Sequence, residues 1–122
     1  MAQKKERRAF KVTVLGASMK IKILGQMYDL ELKNIVSREE ERAGQVCYAT
    51  NTITLCSDLK PNHLQVTLLH EVIHALLFQL GFYDETDNEN LVCALSQSLY
   101  QVLVDNPEIF GELEGKLGKW IY

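Results

Sequence analysis

The sequence predicts an α+β domain, a small antiparallel sheet followed by two helices packed on one face of it. Three observations carry this expectation. Short alternating runs such as "FKVTVLG" and "TITLC" occupy the chain before Ser57, the pattern of half-buried strands. From Val66 to Leu80 the only polar residues are Thr67, His70, Glu71, His74 and Gln79, which reads as a largely buried helix. "LVCALSQSLYQVLVD" then supplies a second helical pattern that ends at Asn106-Pro107. At 122 residues, 47% apolar and 24% charged, the chain has the size and composition of a single ordinary soluble domain spanning 1–122.

Taken in order, residues 1–18 form a basic N-terminal extension, with an alternating Phe10, Val12 and Val14 inside it. Met19 offers an alternative start. Parts of "MKIKILG" and "YDLELKNI" alternate likewise, and Gly16-Ala17 and Gly25-Gln26 stand where turns are needed. Two or three antiparallel strands joined by hairpins follow from this. "SREEERAG" is a solvated loop or a single helical turn ending at Gly44. "QVCYATNTITLCSD" folds as a hairpin broken near Asn51 and Thr52. Ser57 and Asp58 offer N-caps, and Pro61 is tolerable only in a first turn, so a helix starts here and stops at Gly81. "FYDETDN" is a loop, and the next helix begins near Glu89. In the tail, 108–122, Ile109, Leu113, Leu117 and Ile121 have helical spacing. Gly111, Gly115 and Gly118 would each cost about 1 kcal/mol in a helix, which makes the tail weak or bent.

Composition excludes several function classes. No run of about 18 uninterrupted apolar residues exists, so no membrane span is expected. The basic N-terminus lacks an apolar segment after it, so no secretory signal is expected and the chain reads as cytoplasmic. Cys47, Cys56 and Cys93 are odd in number and lack CxxC spacing. They argue against both a disulfide framework and a cysteine-built zinc site, and read as small buried apolar residues. The net charge of −3 hides an asymmetry: seven of 13 Lys and Arg lie in the first 22 residues, and the other 100 carry a balance of −9. The basic arm reads as a solubilising tail. An acidic body repels phosphates, so nucleic acid is not an expected partner.

The helix "LLHEVIHALLFQLG" holds the chemistry. His70 and His74 are four residues apart, on one helical face with Cβ atoms about 5 to 6 Å apart. Two imidazoles so placed can converge on one Zn2+ at about 2.0 to 2.1 Å. Glu71 lies about 100° further round and can reach a water there as general base, the H-E-x-x-H arrangement. A catalytic site needs a third protein ligand. His63 is seven residues before His70, about 10.5 Å along the axis, which is too far. Among Asp84, Glu85, Asp87 and Glu89, the choice is Glu89 in the first turn of the second helix, with Glu85 in reserve. The competing reading of Glu89 is a capping box on Thr86. Tyr48 and Tyr100 are candidate oxyanion stabilisers, and the sequence selects neither.

"GQVCYATNTITLCSD", "TLLHEVIHALLFQLG" and "NENLVCALSQSLYQVLVDNP" together resemble the compact zincin-like metallopeptidases of phages and prophages, near the ImmA/IrrE-like group. The resemblance covers residues 20 to 107. It implies a minimal zincin-like fold in which the sheet packs on an H-E-x-x-H helix. Zinc would be held by His70, His74 and Glu89, with Glu71 as catalytic base for peptide-bond hydrolysis. It also implies a peptide or protein substrate, in some relatives a repressor-type regulator. Zincin architecture further suggests "TITLC" as an edge strand aligning an extended substrate. The rival from another class is a non-catalytic, zinc-stabilised module that binds a phage or host protein.

Overall fold

The computed structural model describes residues 19–34 and 43–111. The expected strand at Phe10–Val14, most of the "SREEERAG" loop and the tail beyond Gly111 lie outside them.

Strand β1 (Met19–Ile23) turns back into β2 (Gln26–Lys33) through Leu24 and Gly25. Both turn residues have positive φ, 49° and 83°, the type I′ geometry whose twist matches a hairpin. Strand β3 (Gly44–Cys47) pairs antiparallel with β4 (Thr52–Cys56) across a turn in which Asn51 takes φ 48°. Asparagine tolerates that region better than most residues.

The sheet is mixed, not antiparallel as expected. Its order is β1-β2-β4-β3, and β2 runs parallel to β4 with Leu30 opposite Ile53 and Leu32 opposite Leu55. A local reading sees two hairpins and cannot see how they join. The joining is decided by burial: the parallel register lines Leu30, Leu32, Ile53 and Leu55 on one face, all buried. The opposite face carries Lys20 bonded to Asp29 at 2.8 Å. "TITLC" is therefore an inner strand, and among the described residues the edge strand next to the helices is β3.

Helix α1 (Pro61–Gln79) lies across the apolar face, where Leu64, Leu68 and Ala75 meet Tyr28, Leu30, Ile53 and Leu55. It starts later than Ser57 and Asp58 suggest. Ser57 is engaged elsewhere, its hydroxyl donating to Asn34 Oδ1 at 2.8 Å, and Lys60 is the N-cap with Pro61 after it. Gly44 lets β3 approach this helix closely, since a Cβ there would lie 2.8 Å from Thr67 Cγ2. The far end of the helix closes at Gly81, φ 85°. Phe82 N donates to Leu77 O and Gly81 N to Phe78 O, the two bonds of a Schellman motif.

That stop reverses the chain into a short helix, α2 (Tyr83–Thr86), inside what reads as a loop. Helix α3 (Glu89–Asp105) follows, capped by Asn88, whose side chain accepts from Leu91 N at 3.1 Å. It packs on α1 rather than on the sheet, through the buried stripe Val92, Ser96 and Tyr100. Tyr100 donates to buried Gln65 at 2.7 Å. A last turn, α4 (Pro107–Phe110), ends the described chain. Among the described residues, no helix is long and apolar enough to cross a membrane.

Candidate metal centre

Because α3 leaves the sheet for α1, a cleft of about 840 Å³ opens between β3 and α3, with α1 as its floor. His70, Glu71 and His74 line that floor, and Glu89 and Cys93 line the α3 wall. The helical spacing sets the two imidazoles side by side, ring centroids 4.8 Å apart. Their Nε2 atoms are 3.1 Å apart.

Glu89 reaches both. Its Oε1 lies 2.7 Å from His74 Nε2 and its Oε2 3.2 Å from His70 Nε2. The capping-box alternative fails here, because Asn88 performs the capping and Thr86 is engaged with His74. Glu85 is exposed and does not line the cleft. Glu71 is 5% exposed, one position along from His70 on the cleft floor.

The donor set fits a small divalent cation. A tetrahedral ion with bonds of 2.0 to 2.1 Å spaces its ligands by about 3.3 Å, close to the spacings between the two Nε2 atoms and the Glu89 carboxylate. Neutral imidazole nitrogens and a carboxylate are all acceptors when their lone pairs point inward. Three acceptors this close repel unless a positive charge lies among them. Burial pushes the His70 imidazole below its ordinary value, against the nearby Glu89 carboxylate, which raises it, and with His74, which lowers it further. A low-pKa histidine keeps its lone pair for a metal.

Cys93 lies beside the histidines, contrary to the reading of all three thiols as buried apolar residues. Cys47 and Cys93 are exposed, and Cys56 is partly covered, bonding the Asn34 carbonyl at 3.1 Å. One turn after Glu89, Cys93 brings its Sγ to 3.8 Å from His70 Nδ1. His70, Glu89 and Cys93 offer ligand atoms that all lie within 4.8 Å of one another. They form a His/Glu/Cys group able to chelate a metal ion. A thiol four residues after a carboxylate was visible as a shared helical face, but not what that face meets.

Tyr48, a candidate oxyanion stabiliser, is spoken for. It stacks on Phe78 with centroids 3.9 Å apart, and its hydroxyl lies 3.3 Å from both the His74 carbonyl and the Thr86 hydroxyl. Burial and nearby Glu71 raise its pKa, against the Thr86 bond. His63 is exposed at the cleft mouth, in the first turn of α1. Thr86 is the residue that sequence reasoning misplaced: it is 6% exposed and sits beneath His74.

No protein-family model, curated protein or solved structure matches the chain. Fold and site define its class by themselves: a small α+β fold, a mixed sheet packed against helices, carrying a cluster able to hold a metal ion.

Proposed function

We propose that this chain is a metal-binding module that holds one zinc-class divalent ion in the cleft between α1 and α3. The observation that carries this is the convergence of His70, His74 and Glu89, whose two Nε2 atoms and carboxylate oxygens lie 2.7 to 3.2 Å apart. Two imidazoles and a carboxylate suit zinc better than magnesium or calcium, which prefer all-oxygen shells.

The finer reading is hydrolytic: a zinc-dependent peptidase of the zincin-like kind that the sequence resembles. Its support is Glu71, an acid on the cleft floor that a purely structural site does not require. When bound, the ion supplies Lewis acidity, which acidifies water and polarises a carbonyl. Glu71 accepts the proton of the water whose oxygen attacks the peptide carbon. It then hands that proton to the amide nitrogen as the C–N bond breaks. Strand β3, an edge of the sheet among the described residues, borders the cleft and suits backbone pairing with an extended peptide or protein substrate.

A second reading, the non-catalytic module, is favoured by Cys93. Its thiolate, grouped with His70 and Glu89 within 4.8 Å, would take a position otherwise open to water, and sites closed by protein ligands are structural. Metal content per chain decides the module itself, with about one zinc expected in the wild type and loss in His74→Ala and Glu89→Ala. Glu71→Gln and Cys93→Ser then separate the finer readings. Peptide cleavage lost in Glu71→Gln with zinc retained establishes the peptidase. Absence of cleavage across a peptide library, with zinc lost in Cys93→Ser, establishes the closed site.

A further inference from the structure

We propose that Thr86, held by Tyr48, is a positioning residue that keeps the Nε2 lone pair of His74 facing the cleft. The proposal rests on the metal-module reading and assigns a role to two hydroxyls behind it.

The proton inventory carries it. Thr86 Oγ1 lies 3.0 Å from His74 Nδ1 and 3.1 Å from the His74 carbonyl oxygen. Tyr48 Oη lies 3.3 Å from that carbonyl and from Thr86 Oγ1. The carbonyl can only accept. Thr86 therefore gives its one proton to the carbonyl, and the Tyr48 proton goes to the carbonyl or to the second Thr86 lone pair. Either way Thr86 Oγ1 is an acceptor toward Nδ1. His74 then carries its proton on Nδ1 and its lone pair on Nε2, the atom 2.7 Å from Glu89. Outer partners of this kind fix the tautomer and ring angle of ligating histidines.

The fold holds both hydroxyls in place. Gly81 reverses the chain so that α2 tucks Thr86, 6% exposed, under His74, 8% exposed. Phe78 clamps Tyr48 by stacking at an interplanar angle of 5°, and Tyr83 of α2 packs edge-on against Phe78. The clamp comes from the β3–β4 turn, from α1 and from α2 at once.

The test compares wild type, Thr86→Val, Thr86→Ser and Tyr48→Phe by zinc-binding calorimetry, with thermal midpoints of the metal-free proteins as folding controls. Thr86→Val keeps the shape and removes the hydroxyl, and it should weaken zinc binding about 10- to 100-fold. Thr86→Ser should restore it. Tyr48→Phe keeps the stack and should cost less than Thr86→Val. In nitrogen-15 spectra of the zinc-loaded wild type, His74 should show an exchange-protected Nδ1–H, and that protection should be lost in Thr86→Val. A wild type that binds no zinc overturns both this role and the module. Wild-type affinity and an unchanged Nδ1–H signal in Thr86→Val overturn the role alone. Weakening that Thr86→Ser fails to rescue also overturns it, because it makes Thr86 a packing residue.

Discussion

The charge of His70 depends on its surroundings. Burial favours its neutral form, so its folded pKa lies below the unfolded value of 6.5. Between the two values the unfolded chain binds more protons, so stability there rises with pH. The contribution is complete above pH 6.5 and is lost as pH falls through the folded value. Urea midpoints of the metal-free protein should fall between about pH 7.5 and pH 5.5. The fall should be shallower in His70→Gln, which has nothing to titrate. Equal slopes would place the acid sensitivity elsewhere. The same neutral form binds metal, so acid should also release zinc.

Each turn and helix end shows how local chemistry aims the site. The Schellman stop at Gly81 directs α2 beneath His74, and Asn88 starts α3 so that Glu89 falls in its first turn. Gly44 brings β3 close enough to α1 to form the cleft wall. One element is suboptimal. Leu24 occupies φ 49° and is 56% exposed, in a region that costs a non-glycine residue roughly 1 to 2 kcal/mol and that asparagine tolerates. Leu24→Asn should therefore stabilise the protein by about 1 kcal/mol, read as a raised urea midpoint with unchanged slope. An unchanged or lowered midpoint would mean that Leu24 earns its place through contacts made outside the hairpin.

Across the fold, two layers share a floor. Helix α1 covers the sheet on one side and receives α3 on the other, so its apolar run is buried on most faces and its polar residues must find partners. Gln79 donates to Ile23 O and to the Tyr28 hydroxyl, each at 3.0 Å, and Gln65 accepts from Tyr100. His70 and His74 instead meet an acidic partner across a cleft. A ligand that binds only the folded state at a hundred times its Kd adds about 2.7 kcal/mol. For a domain of this size that is about 10 °C in Tm. Differential scanning calorimetry with zinc in excess should show a rise of that order, reversed by chelation. No rise would mean that the cluster does not hold zinc.

The chemistry-bearing pattern was legible in the chain because it is local. Residues four apart on a helix share a face whatever surrounds them, so His70 and His74 could be paired from spacing, and Glu89 could be placed in a first turn. The positions of the described strands, their hairpins and the stop at Gly81 were legible for the same reason, since turn and cap chemistry acts over a few residues. Tertiary structure alone decided the parallel union of β2 with β4, which made β3 and not "TITLC" the edge. It also decided that α3 packs on α1, leaving a cleft, and that Thr86, Tyr48 and Cys93 meet the histidines. These are contacts between residues 12 to 38 positions apart. They are set by which faces must be buried together and where the chain can close, and no short stretch of sequence carries that information.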